Sequence, residues 1–197
     1  MAIVDFAELK ALVPDGRLMA LDVGSKTIGV AASDALRMLA TPITTLKRGK
    51  LAADLAVLAE LAKKHEIKAL AIGLPLNMDG TEGPRCQSVR QFAANIANHG
   101  PPALAALPVV WQDERLSTAA VTRGMIDDYD MSRAKRAERV DAAAAAWILE
   151  SALARLRSTS DVAIPIVLLP TSSAISLPSC GSRALSSSSS TIAMARL

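Results

Sequence analysis

Between Arg17 and Leu46 the chain carries three strand-forming runs with so little sequence between them that chain length alone restricts how they pair. Arg17 to Val23 reads R-L-M-A-L-D-V, an apolar run that ends on an acid and Gly24. That pattern suits a buried strand. Thr27 to Ala32 follows after the tight turn Gly24-Ser25-Lys26, and Thr41 to Leu46, rich in Thr and Ile, suits a third strand. Neighbouring parallel strands need a crossover of about a dozen residues or more. Strands joined this closely must pair antiparallel, so the chain opens on a meander.

The pattern then changes to alternation. Leu51, Leu55, Leu58, Leu61 and Ala62 recur at helical spacing, and Lys63, Lys64 and His65 close that helix with cationic groups, as its dipole favours. Ile67 to Ile72 is a second buried-strand run, stopped by Gly73. Arg85 to Ala97 carries Val89, Phe92, Ala93 and Ile96 on one helical face, and Leu107 to Trp111 forms a fifth strand that runs into Gln112-Asp113-Glu114. Ser117 is suited to cap a helix over Thr118 to Ile126, and Ser132 to cap a long alanine-rich helix from Arg133 to Leu156. The order is β-β-β-α-β-α-β-α-α. Alternating strands and helices imply parallel pairing with helices packed on the faces. The expected fold is α/β, a mixed five-stranded sheet covered by helices on both faces.

Composition limits what fills that core. Residues of apolar type make up 51% of the chain but aromatics only 3%, so the core must be aliphatic. Cys86 and Cys180 are too few for a disulfide framework and form no C-x-x-C pair, which suits a reducing cytoplasm. Asp5 and Glu8 near the start argue against a signal peptide, and every long apolar stretch is interrupted by charge, so no membrane span is expected. A net charge of +3 is compatible with a polyanionic partner without establishing one. After Arg157 the sequence turns serine-rich and weakly periodic, with the run Ser186 to Ser190 and prolines at 165 and 170. Such a stretch is poorly suited to a packed core. The expected organisation is an extension over 1–16, a folded body over 17–157 and a disordered tail over 158–197.

Three acids stand where chemistry is plausible. Asp22 ends the first strand inside an apolar run, Glu114 ends the fifth, and Asp141 sits in the last helix directly before Ala142 to Ala146. A buried carboxylate is costly unless it is paired or holds a cation. Acids that meet at element ends can share a hard cation such as Mg2+ or Mn2+, and two such ions can stabilise the attacking and leaving oxygens of phosphodiester hydrolysis. Each acid also has an ordinary explanation. Asp22 before Gly24 suits a turn, Asp141 suits the early part of a helix, and Asp113 and Glu114, being adjacent on a strand, point to opposite faces so that only one can face a common site.

Four segments, taken together, add what spacing cannot. L-D-V-G-S-K-T-I-G-V-A-A-S-D (Leu21 to Asp34), G-L-P-L-N-M-D-G-T-E-G (Gly73 to Gly83), Q-D-E-R-L-S-T (Gln112 to Thr118) and R-V-D-A-A-A-A-A-W-I-L-E (Arg139 to Glu150) resemble, in order, the bacterial YqgF family of pre-16S rRNA nucleases, also described as Holliday-junction-resolvase-like. The resemblance spans about residues 17 to 156. It implies a ribonuclease H-like fold, a carboxylate site at Asp22, Glu114 and Asp141, and a role in trimming the 5′ end of the small-subunit rRNA precursor in the cytoplasm. The serine-rich tail has no counterpart in that pattern.

Further residues are candidates on weaker grounds. Lys26, Arg85 and Arg115 can contact backbone phosphates or form surface ion pairs. Asn77 lies in a polar loop after the fourth strand, where ligands often bind in such sheets, but the loop is also simply rich in turn formers. Arg133, Lys135, Arg136 and Arg139 form a basic cluster before Asp141. His65 and His99 need no catalytic role, and Trp111 and Trp147 read as core. Besides the RNA nuclease, the sequence leaves open a resolvase acting on branched DNA, a nucleotide-binding domain using Asp22 to Thr27 as a phosphate loop, and a non-catalytic ribosome-assembly factor. It also leaves open a monomer or a homodimer.

Overall fold

The computed structural model describes residues 1–114 and 133–159, with side chains described over 1–114 and 141–159. The elements are α1 (Phe6–Leu12), β1 (Arg17–Val23), β2 (Thr27–Ser33), β3 (Ala40–Lys47), α2 (Leu51–Lys64), β4 (Ile67–Leu74), α3 (Pro84–His99), the short α4 (Pro102–Ala105), β5 (Val109–Asp113) and α5 (Arg133–Ser158). The expected helix over 118–126 lies outside the described residues, as do Arg115 and the tail beyond Thr159.

The five strands form one mixed sheet in the order β3-β2-β1-β4-β5. β1 pairs antiparallel with β2, and β2 with β3, while β4 runs parallel to both β1 and β5. The antiparallel half follows from the short turns. In the first of them Gly24 donates its amide to the Thr27 carbonyl at 2.9 Å. The parallel half follows from α2 and α3, each long enough to carry the chain back across the sheet. This is the mixed five-stranded α/β sheet, with helices on both faces, expected from the sequence.

Strand alternation divides the core in two. Met19, Leu21, Val23, Ile28, Val30, Leu70, Ile72 and Leu74 face α2 and α3, where Leu55, Leu58, Val89, Phe92 and Ile96 cover them. Leu18, Ala20, Ala31, Ala69, Ala71 and Val110 face the other way and are covered by Ala145, Ile148, Leu149, Ala152, Leu153 and Leu156 of α5. Those α5 positions recur at the spacing that puts them on one helical stripe.

The first residues are not a loose extension. Ile3 bridges to Val109 in parallel, the Val4 amide donates to the Val109 carbonyl at 2.9 Å, and Leu9 of α1 is fully buried in the α5-side core. Asp5 and Glu8 form a reciprocal capping box at the start of α1. The pattern Asp-x-x-Glu before Leu9 carried that signal in the sequence.

Candidate active site

The acids meet at the carboxyl end of β1 and β5 on the α5 side of the sheet. Asp22 follows Leu18 and Ala20 by strand alternation and so points toward α5, not toward α2. Its register partner on β2 is Gly29, and a Cβ built there would stand 2.7 Å from the Asp141 carbonyl carbon. The missing side chain therefore lets α5 descend onto β2 and brings Asp141 beside Asp22. On the other flank, Leu21 pairs with Ile72, which places Gly73 next along β4. A Cβ at Gly73 would stand 2.8 Å from the Glu114 carboxyl carbon and 2.6 Å from Ile148 Cδ1. Glu114 directly follows β5, and its amide donates to the Leu74 carbonyl at 3.2 Å, which fixes its backbone at the end of β4.

Electrostatics records the same convergence. Burial, then the charge of Asp141, pushes the Asp22 carboxyl up to about 6, while Arg85 draws it down. Burial, then the charge of Asp22, pushes Glu114 up to about 7, with Arg85 again opposing and Asp113 adding to the rise. Asp22 thus lies between the other two acids, and Arg85, in the first turn of α3, is the cation that both Asp22 and Glu114 sense.

The donor set suits a hard divalent ion. The groups are carboxylate oxygens, two of them are held in their neutral-favouring range by burial and mutual repulsion, and glycines at 29 and 73 leave the space in which they meet. Among the described residues no three His, Cys, Asp or Glu side chains stand close enough to share one ion as they are placed. The acids act on one another in pairs, the charge of Asp141 on Asp22 and that of Asp22 on Glu114.

The weaker candidates fall in different places. Lys26 is exposed in the β1–β2 turn. Asn77 is exposed too, but its side-chain amide donates to Thr81 Oγ1 at 2.9 Å, and Thr81 in turn donates to Asp79 at 2.7 Å. The loop polar groups are thus spent largely on the loop itself. Arg90, absent from the sequence-derived set, donates to both Glu82 carboxylate oxygens through its Nε and Nη2 and lies 5.0 Å over the Trp111 ring. Arg48 was also missed; its Nη1 donates to the Gly24 carbonyl at 2.9 Å and steadies the turn after Asp22. Neither residue carried a local sequence signal, because both contacts join distant segments.

The family model described as "RuvX: Holliday junction resolvase" matches residues 16–155. The chain belongs to the RuvX family. This is the family, under its other name, that the four segments resemble. A RuvX relative from Phenylobacterium zucineum is 48% identical over 159 residues, covering 80% of this chain and 99% of the relative. A second, from Methylocella silvestris, is 53% identical over 156 residues, covering 79% of this chain and 93% of the relative. Both carry the name "Putative pre-16S rRNA nuclease". Among solved structures, Thermus thermophilus RuvC in complex with a Holliday junction substrate aligns with a TM-score of 0.46 at 12% identity, over 73% of this chain and 97% of that one.

Proposed function

We propose that this RuvX-family chain is a metal-dependent nuclease that hydrolyses phosphodiester bonds and processes the 5′ end of pre-16S rRNA in the cytoplasm, with Asp22, Glu114 and Asp141 as its Mg2+ or Mn2+ ligands. The observation that carries this reading is the position of Asp22, an acid on an otherwise apolar strand face, electrostatically coupled to an acid from β5 on one side and from α5 on the other. The names of the relatives supply the substrate, and among the described residues no helix is long and apolar enough to cross a membrane.

A bound divalent ion supplies charge for the phosphate and a more acidic water. The remaining work falls to the chain. Asp22 sits on the central strand β1 and anchors the site rigidly. Glu114 and Asp141 enter from separate elements and hold opposite flanks. Arg85 opposes the rise at both Asp22 and Glu114 and can turn to a substrate phosphate once a cation balances those charges. Lys26 and Asn77 contact the nucleic-acid backbone in this reading, and Arg115, which lies outside the described residues, is assigned the same role. The chemistry is placed in 17–157, with residues 1–16 packed against it, and the serine-rich stretch that follows takes no part in it.

The description of the family model favours one alternative, a resolvase cutting branched DNA with the same acids. Cutting two strands symmetrically calls for a dimer. The two readings separate in one assay: a precursor RNA carrying the 16S 5′ leader and a four-way DNA junction, each with and without Mg2+, using the wild type and Asp22→Asn. Magnesium-dependent cleavage of the RNA that Asp22→Asn lacks supports the proposal. Cleavage of the junction alone replaces it with the resolvase, and normal cleavage by Asp22→Asn removes the site altogether.

A further inference from the structure

Gln112 is buried in the same face as the acids and has no role in the reading above. On β5 it alternates with Val110, which belongs to the core under α5, so its side chain shares the side of the sheet that carries Asp22. Its register partner is Gly73, the glycine against which the Glu114 carboxylate lies. Gln112 is only 6% exposed, and among the described residues its Oε1 is buried without a hydrogen-bond partner.

The orientation of the amide is determined. Nε2 donates to the Asp113 carbonyl at 3.2 Å. A carbonyl oxygen can only accept, so turning the amide over would set two acceptors against each other. Oε1 is therefore an acceptor that lacks a donor. An apolar side chain of the same shape would be the better occupant of such a position if no donor ever arrived. The donor must also be small, because a shielded oxygen is out of reach of a ribose or a base. Water meets that condition, given further polar partners, and Glu114 supplies acceptors at the shared glycine.

We propose that Gln112 is a positioning residue for the cation site, its Oε1 accepting a hydrogen bond from a water that hydrates the divalent ion beside Glu114. The inference rests on the metal-dependent reading. It makes Gln112 an orienting partner one step removed from the ion, a layer whose loss commonly weakens metal affinity about 10- to 100-fold.

The test is Mn2+ binding by titration calorimetry on the full chain, together with metal-free melting temperature, for the wild type, Asp22→Asn, Gln112→Met and Gln112→Glu. Gln112→Met removes the acceptor at similar volume; it should melt at or above the wild-type temperature without metal yet bind Mn2+ at least about tenfold more weakly. Gln112→Glu keeps an acceptor at Oε1 while giving up the bond to the Asp113 carbonyl, so it should melt lower without metal yet retain or tighten binding. Wild-type affinity in Gln112→Met overturns the proposal. So does loss of binding in Gln112→Glu, and that arm stands whether or not the methionine variant folds. If the wild type shows no Mn2+ binding that depends on Asp22, the metal-dependent reading itself fails; if Asp22→Asn loses binding while Gln112→Met keeps it, only the role of Gln112 falls.

Discussion

On the side covered by α2 and α3, the strands present Met19, Leu21, Ile28, Val30, Leu70 and Ile72, and Phe92 fills the space above them. On the side covered by α5, the same strands present Ala20, Gly29, Ala31, Ala69, Ala71 and Gly73, and the helix answers with Ala142, Ala145, Ala146 and Ala152. Large aliphatics maximise the apolar area removed from water. Small residues give up part of that area and let a helix backbone come close to the sheet. The second side is also where the acids and Gln112 lie. Both faces carry a core, since Leu18, Val110, Ile148, Leu149, Leu153 and Leu156 are buried under α5 as well, but only the α5 face combines close helix approach with the acids, and substitutions can test that division.

The largest effect should come from Asp22→Asn. The change conserves shape and removes a charge that burial disfavours, so the metal-free protein should melt no lower than the wild type. Cleavage in Mg2+ should fall below about 1% of wild type, at or beyond the loss seen when a metal site is perturbed from outside its ligand shell. Calorimetry and a cleavage time course on the same preparation check both halves. A variant that cleaves normally, or one that unfolds, breaks the comparison.

Phe92→Ala and Gly73→Ala form a matched pair across the sheet. Phe92 is 1% exposed, and its truncation should cost about 3–5 kcal/mol in stability. The fraction of Phe92→Ala that stays folded should cleave at the wild-type rate. Gly73→Ala should cost about 1–3 kcal/mol from overpacking, since the new methyl meets Glu114 and the Ile148 side chain. Its distinguishing mark is activity: by displacing Glu114 it should lower kcat well beyond what the loss of folded protein explains. Urea melts paired with kcat, corrected for folded fraction, decide this. Equal residual kcat in the two variants would erase the functional difference between the faces.

Much of this arrangement was legible in the sequence, for identifiable reasons. The meander followed from turn lengths, and the apolar runs located β1, β4 and β5 to within a few residues of their observed ends. Asp22 stood out because it interrupts a strand that otherwise reads as buried. What escaped involves contacts between distant segments. Gln112 looked like part of a polar strand end, and only the alternation established by Val110 shows it turned inward. The roles of Gly29 and Gly73 depend on what α5 and Glu114 place above them, which no local pattern encodes. Arg85, expected either to contact a phosphate or to form an ion pair, lies where both Asp22 and Glu114 sense its charge, and those two acids come from distant segments. By contrast, α1 was missed although Asp5 and Glu8 spelled its cap.

Acidity should affect the two faces unequally. Asp22 and Glu114 are raised to about 6 and about 7, first by burial and then by a neighbouring carboxylate, Asp141 for Asp22 and Asp22 for Glu114. For an acid whose folded pKa lies above its unfolded value, folding favours the protonated form. The associated stability is present below the unfolded pKa near 4 and is lost as pH rises through the folded value. Without metal, the melting temperature should therefore fall between pH 5 and pH 8, and Mn2+ at pH 8 should recover the loss. Asp22→Asn should flatten that pH dependence, whereas Phe92→Ala should shift the whole curve down without changing its slope. A metal-free protein that becomes more stable from pH 5 to pH 8 would show that these carboxylates are not the buried, mutually repelling groups described.

The smallest effect is expected at Arg90, which sits on the α3 side of the loop after β4. It joins Glu82 to the Trp111 ring across an exposed surface. Exposed ion pairs contribute about 0.2–1 kcal/mol, and an exposed cation over an aromatic ring about 0.5–1 kcal/mol. Because the guanidinium makes both contacts at once, Arg90→Ala should lower stability by about 1 kcal/mol, and high salt should remove most of the Glu82 share. Cleavage should keep its kcat, because Trp111 points away from Asp22 and the contact reaches the site only through the loop backbone. Any change should appear in KM, as a loop holding Asn77 less firmly. Stability curves at low and high salt, set beside kcat and KM, separate these effects. A fall in kcat rather than KM would mean that the α3 face takes part in the chemistry, and the division of tasks between the two sides of the sheet would have to be redrawn along β5.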